Sequence, residues 1–88
     1  MLKISSSKIK FTIEDARQIG ESIGINWDKV DFPVDQFRMG LDAEHNEHGT
    51  DPETNVTGGD VTIEGKIAWA HLKEMPDYYS RLKKMESD

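Results

Sequence analysis

Apolar residues recur every three or four positions in the first third of the chain, which is the spacing of one face of an α-helix. Thr12, a residue type favoured at helix N-caps, precedes this pattern. Gly24, a residue type favoured just after helix C-termini, follows it. We therefore expect a first helix between Thr12 and Gly24, with a buried face made by Ile13, Ala16, Ile19 and Ile23.

A second helix is expected from about Pro33 to Gly49, because proline suits the first helical turn and glycine suits the end. Its apolar positions are Val34, Phe37 and Leu41. Further steps of three and four lead to Glu44 or His45 and then to His48. Some polar residues of the EHNEH stretch therefore continue the apolar face.

A third helix is predicted from about Thr62 to Lys73, with a wide apolar arc. One stripe holds Ile63, Ile67, Ala70 and His71 and extends to Glu74 and Tyr78; a second holds Ala68, Leu72, Met75 and Tyr79. Trp69 lies between them, and we expect it to be mostly buried. Pro76 interrupts the helix, and a short last helix is expected to turn Tyr79, Leu82 and Met85 inward.

These patterns predict an all-α protein, a small bundle of three to four short helices without strand-like alternation. Residues 49–61, rich in Gly, Pro, Asn and Thr, predict a long loop between helices two and three. We expect one domain over 1–88, with a loose lead-in at 1–11 and a frayed tail at 86–88. Ile4, Ile9 and Phe11 are the lead-in residues expected to contact the bundle.

Composition narrows the chemistry that this bundle can carry. The 88 residues include no cysteine, so a metal site would need histidine, carboxylate, backbone or water ligands. No apolar run approaches the roughly 20 residues that span a bilayer, and the first residues lack the apolar stretch of a secretory signal. We expect a soluble, cytoplasmic protein that binds no membrane.

The negative charge is concentrated in the middle of the chain. The net charge is −6, but Asp31–Glu64 holds nine acidic residues against Arg38 alone, which gives −8 there and +2 elsewhere. Such a segment repels phosphate groups, so nucleic-acid binding is not expected. It suits cations or a basic protein partner.

Two helical segments each carry a His and a Glu one turn apart, which places their side chains on the same face. On the second helix these are Glu44 and His48, and on the third His71 and Glu74. If the helices pack on their apolar faces, the four groups converge and could bind Zn²⁺, Mn²⁺ or Fe²⁺. His45 and Glu47 could replace the second-helix ligands if the register differs, and a purely structural polar cluster is the alternative.

Residues 51–60 also place oxygen-bearing side chains at nearly alternate positions, as a calcium-binding loop does. Val56 stands where an EF-hand requires glycine, and Thr62 stands where its closing glutamate would be. An EF-hand is therefore rejected. A looser cation site is one alternative for this loop. A turn-rich loop whose Asp, Asn and Thr side chains cap neighbouring backbone groups is the interpretation we prefer.

Several motifs between Phe37 and Leu82 resemble a small domain family of unknown function found in bacterial and phage proteins. The similar segments are FRMGLD, EHG, TNVT, GKIAWAHL and EMPDYYSRL, with ARQIGESIGINW before them. The resemblance implies a compact helical module in which Glu47-His48-Gly49, His71, Glu74 and the tyrosine pair occur together. The stretch AEHNEHG is one residue longer than the family pattern, so Glu44 and Glu47 both remain candidates.

The leading hypothesis is a divalent metal held between helices two and three by His48, His71, Glu74 and one of Glu44 or Glu47, in a structural or binding role rather than in catalysis. His48 is expected to be the functional histidine, and His45 is expected to turn toward solvent. The competing hypothesis is an acidic interaction module that binds a basic protein, or self-associates, without metal.

Overall fold

The computed structural model describes residues 10–87 and is helical, with no β-strand in that range. Four helices follow in order: α1 (Ile13–Ser22), α2 (Val34–His48), α3 (Val61–Glu74) and α4 (Tyr78–Ser87). The expected all-α class is confirmed, and the four helices agree with the three to four that were expected. None of these four helices has both the length and the apolar character needed to cross a membrane.

The limits of α1 follow from local hydrogen bonding at both ends. At the start, Thr12 Oγ1 accepts from the Asp15 N–H at 3.0 Å, and Asp15 Oδ2 accepts from the Thr12 N–H at 3.1 Å. This reciprocal pair satisfies two N–H groups that have no partner within the helix. At the end, Gly24 has φ of +106°, and the Ile25 N–H returns to the Gly20 carbonyl at 2.9 Å.

Helix α2 is the centre of the bundle, because α1, α3 and α4 all pack against it. Its apolar face is fully buried at Phe37 and Leu41. Around them lies a core made of residues from every helix and from the α1–α2 connection: Ala16, Ile25, Phe32, Ala68, Leu72 and Tyr79. The Trp27 ring lies edge-on to Phe32 and Phe37 and donates its indole N–H to the Arg17 carbonyl at 3.1 Å.

Small residues let α3 and α4 approach α2 closely. A Cβ atom at Gly40 would lie 2.6 Å from Tyr79 Cε2 and 2.8 Å from Ala68 Cβ. These separations are well inside normal carbon–carbon contact. Gly40 is therefore the position at which three helices meet, and its missing side chain determines how tightly they pack.

The buried face of α3 is narrower than its sequence pattern suggests. It consists of Glu64, Gly65, Ala68 and Leu72. The expected inward positions of Ile63 and Ala70 are wrong, since Ile63 is 44% exposed and Ala70 is also exposed. Trp69 packs against the core from the margin of this face with part of its surface exposed, and the Lys73 Nζ lies 5.3 Å from its ring centroid. The contact with α2 runs through small residues, so bulky neighbours remain at its margins.

Helix α4 buries only one side of its first turns. Tyr79 is 2% exposed and Leu82 is half-buried. Met85 is 68% exposed, so the expectation that it faces inward is wrong. Helix α4 packs mainly against α2, and no further helix within residues 10–87 covers its other side. Met85 therefore continues the apolar spacing of α4 but lies outside its buried surface.

The segments before α1 and after α2 are both attached to α2. Phe11 donates its N–H to Asp42 Oδ1 at 2.7 Å, and its ring lies edge-on to His45 at 5.7 Å. Ile4 and Ile9, also expected to contact the bundle, lie outside the described residues. Residues 49–60 connect α2 to α3. They fold back onto the end of α2, where the His48 carbonyl accepts hydrogen bonds from the Val56 and Thr57 N–H groups.

Gly40→Ala is expected to destabilise the protein by about 1–3 kcal/mol through overpacking. Alanine is a better helix former than glycine by about 1 kcal/mol. Helix propensity alone therefore predicts that the substitution would stabilise the protein. Urea denaturation measures the difference, with Lys66→Ala on the exposed face of α3 as a control expected to stay within about 0.5 kcal/mol. A Gly40→Ala protein more stable than the wild type would show that the three helices do not meet this closely.

Candidate functional site: two buried carboxylates on facing helices

Glu44 is a buried carboxylate on the side of α2 that faces α3 and α4. It is 6% exposed. The Tyr79 hydroxyl donates to Glu44 Oε2 at 2.7 Å and joins α4 to α2. Burial is the main cause that raises the Tyr79 pKa far above its usual value, and the hydrogen bond to Glu44 raises it further. Tyr79 therefore stays a neutral donor across the physiological range.

Two histidines approach the two oxygens of this carboxylate from different helices. His48 Nε2 lies 3.9 Å from Glu44 Oε1, and His71 Nε2 lies 3.9 Å from Glu44 Oε2. Both separations exceed hydrogen-bonding distance. Glu44 thus lies between one imidazole on its own helix and one imidazole on α3.

Each histidine is oriented by a second contact. His48 Nδ1 lies 3.2 Å from the Thr54 carbonyl, which can only accept, so Nδ1 carries the hydrogen in that contact. In the neutral ring Nε2 then bears the lone pair that faces Glu44. The His71 ring stacks on Tyr78 at 4.3 Å with an interplanar angle of 3°, and its edge meets Tyr79.

The remaining sequence-predicted ligands lie farther out. Glu47 and Glu74 are both exposed, and among residues 10–87 Glu74 is not one of the side chains that contact Glu44. The structure therefore brings together Glu44, His48 and His71 but leaves Glu74 outside the group. No set of three or more His, Asp and Glu side chains within the described residues has the arrangement of a metal site as it stands.

A second buried carboxylate was not anticipated from the sequence. Glu64, on the first turn of α3, is fully buried. His45 Nδ1 lies 2.8 Å from Glu64 Oε1, and the Thr57 hydroxyl donates to Glu64 Oε2 at 2.6 Å. This cluster joins α2, α3 and the connection between them.

Comparison with known families identifies residues 16–88 as a match to a protein family of unknown function, DUF5661. The chain belongs to the DUF5661 family. Comparisons with curated proteins and with solved structures give no match.

In this DUF5661 domain, the expectation that His45 turns toward solvent is wrong. His45 is 8% exposed, whereas the His48 side chain is 42% exposed. Successive helical residues are separated by about 100°, so Glu44 and His45 can both lie within the wide face that α3 and the connecting segment cover. The missed signal was Glu64 itself, which precedes Ala68 and Leu72 at steps of four.

Gly49 allows the second cluster to form. A Cβ atom there would lie 2.9 Å from both the Thr57 Oγ1 and the His45 carbonyl oxygen, and it would also overlap Glu64 Oε2. A larger residue would therefore displace the connecting segment from the end of α2. Gly49 was expected to end the helix, and the structure adds this steric role.

Replacing each histidine by alanine should separate the two clusters. His45→Ala removes the partner of a fully buried carboxylate and should lower the unfolding free energy by about 3 kcal/mol. His48→Ala changes a partly exposed side chain and should lower it by less than about 1 kcal/mol. Urea denaturation of both variants without added metal is the measurement, and a larger loss for His48→Ala would contradict this placement.

The raised Tyr79 pKa predicts a specific loss of stability at alkaline pH. The folded state holds the Tyr79 proton more tightly than the unfolded chain does. Its contribution to the unfolding free energy is therefore complete below the unfolded-state pKa of about 10 and is lost as pH rises above that value. Between pH 8 and 11 the unfolding free energy of the wild type should fall by about 1.4 kcal/mol more than that of Tyr79→Phe. Urea denaturation of both proteins between pH 8 and 11 measures this difference, and parallel pH profiles would contradict it.

Proposed function

We propose that this chain is a binding protein that holds a divalent cation between α2 and α3, with Glu44, His48 and His71 as ligands. The observation that carries the proposal is the position of one buried carboxylate between two imidazole nitrogens, each 3.9 Å from a different oxygen. The cation would be coordinated by side chains from both helices and would strengthen their junction. The role is structural or binding rather than catalytic.

The charge of Glu44 supports a cation at this position. A buried carboxylate is unfavourable unless a positive charge or several hydrogen-bond donors compensate it. Among the described residues, the groups facing Glu44 are a neutral phenol and two imidazoles, without lysine or arginine. A divalent cation bound here would compensate this carboxylate.

The ligand types indicate which ion fits. Two imidazole nitrogens and a carboxylate favour Zn²⁺, Mn²⁺ or Fe²⁺ over Ca²⁺ and Mg²⁺, which prefer oxygen ligands. An ion with bonds of about 2.0–2.1 Å to all three side chains requires both nitrogen–oxygen separations of 3.9 Å to shorten on binding. Side-chain exposures of 42% for His48 and 39% for His71 leave them room to move.

Contacts from neighbouring groups favour Glu44 and His48 as ligands over the other candidate side chains. The Tyr79 hydroxyl holds the Glu44 carboxylate, and the Thr54 carbonyl holds the ring of His48. Such contacts orient metal ligands and select the histidine tautomer. Glu44, rather than the exposed Glu47, is the α2 carboxylate in this proposal, and the exposed Glu74 is not required.

Metal titration of the demetallated protein tests the proposal. Zn²⁺ at one hundred times its Kd should add about 2.7 kcal/mol of stability, which raises Tm by roughly 10–20 °C for a domain of this size. His71→Ala should abolish this increase, and Tyr79→Phe should weaken binding about tenfold. Elemental analysis of the purified protein and thermal unfolding with Zn²⁺, Mn²⁺, Fe²⁺ or EDTA are the measurements.

Glu74→Ala is the matched control, since it removes an exposed acid from the same helix and should leave the Zn²⁺ response unchanged. Circular dichroism establishes that each variant is folded before titration. A folded wild-type protein that contains no metal and whose Tm is the same with Zn²⁺, Mn²⁺, Fe²⁺ and EDTA would eliminate the cation. Equal loss of the response in His71→Ala and Glu74→Ala would eliminate the ligand set.

A further inference from the structure

A groove of about 640 Å³ lies along the junction of α2 and α4. On the α2 side it is lined by Met39, Ala43 and Asn46, and on the α4 side by Tyr79, Leu82 and Glu86. Each wall therefore presents residues at steps of three and four, which is one face of a helix. The α2 residues span about 10 Å of helix axis, as do the α4 residues.

The inner surface of the groove is apolar where the two helices meet. Met39, Ala43 and Leu82 are partly buried and pack against the core, while their remaining surface lines the groove. A cleft between two helices with an apolar surface of this kind accepts the apolar face of a third helix. Two turns of such a helix would match the length of the walls.

The charged residues of the groove favour a basic occupant. Four carboxylates line it, at Asp42, Glu47, Asp51 and Glu86, against the ammonium groups of Lys10 and Lys83. Asp42 also pairs with Arg38 at 3.1 Å, whereas Asp51 and Glu86 are exposed at the rim. The α2 side belongs to the acidic segment of residues 31–64, whereas α4 carries Arg81, Lys83 and Lys84 against Glu86. The excess of negative charge on the α2 side is complementary to Lys and Arg side chains.

We infer that the groove between α2 and α4 binds an amphipathic α-helix of a partner protein, with its apolar face inward and Lys or Arg side chains beside Asp51 and Glu86. This interaction does not require the proposed cation. His48 and Tyr79 also line the groove, but the helix is recognised by apolar contact and rim charge. Helix binding can therefore be measured in EDTA, which removes the proposed cation. Failure of the cation proposal then leaves the helix proposal open to test, and the reverse also holds.

Two synthetic peptides of about 14 residues test the inference. Both carry leucine at i, i+3, i+4 and i+7, and they differ only in having lysine or glutamate at every flanking position. Titration into ¹⁵N-labelled full-length protein in EDTA should shift the amide signals of Ala43, Asn46 and Leu82 with the lysine peptide. The glutamate peptide should bind at least about tenfold more weakly.

Charge reversal at the rim gives a matched pair of variants. Glu86→Lys should weaken binding of the lysine peptide about fivefold at low salt, and the difference should shrink at high salt. Glu21→Lys, an equal charge change on the exposed part of α1 outside the groove, should leave the affinity unchanged. Both residues are exposed, so both variants are expected to fold.

Several results would overturn the inference. Equal affinity for the two peptides, or amide shifts confined to α1 and α3, would remove the basic helix as the occupant. Concentration-dependent dimerisation of the free protein with shifts in the groove would assign it to a second copy of the chain. Nuclear Overhauser contacts from residues 1–9 to Leu82 in the free protein would assign it to the chain's own first residues.

Discussion

The association of α2 with its neighbours depends on placing two carboxylates, Glu44 and Glu64, inside a very small protein. Glu44 is 6% exposed and Glu64 is fully buried. A domain of 88 residues buries a modest apolar core, so an uncompensated buried charge would consume most of its stability margin. The polar residues around these two acids are therefore as important to the fold as Phe37 and Leu41.

The two carboxylates are compensated in different ways. Glu64 has short hydrogen bonds on both oxygens, from His45 and from the Thr57 hydroxyl. This closed arrangement attaches the connecting segment to α2 and α3. At Glu44 the short contact comes from Tyr79, and the two imidazoles stay at 3.9 Å. The Glu64 cluster has the geometry of a structural tie, whereas the Glu44 cluster has two longer separations that the proposed cation would have to shorten.

Local signals in the sequence were sufficient to locate the helices, because caps and helix breaks are formed by neighbouring residues. Thr12, Gly24 and Pro76 act within a few positions of themselves, and the predicted pattern of three to four helices followed from them. The exposure of Ile63 and Met85 could not be obtained in this way. Which part of an apolar face is covered depends on where the partner helix lies, and small residues such as Gly40 and Ala68 determine that.

The candidate site was predictable to a similar extent. Helical spacing placed Glu44 with His48, and packing of the apolar faces brought His71 to the same carboxylate. Spacing could not show that His45 is buried, because its partner Glu64 is remote in sequence and charged residues usually lie outside. Glu74 shared a helical face with His71, yet it lies at the end of α3, beyond the part that faces α2.

The Glu44 cluster and the groove share two side chains, His48 and Tyr79, and this has a thermodynamic consequence if both proposed ligands bind. Tyr79 holds Glu44 and lines the groove, while His48 faces Glu44 and lines the groove near its acidic rim. A cation would reduce the negative potential that favours a basic helix and would also fix the orientation of both side chains. The first effect weakens helix binding, and the second strengthens it by reducing the entropy lost on association. Whichever effect is larger, the helix must change the cation affinity by the same factor as the cation changes the helix affinity, because linkage between two binding sites is reciprocal.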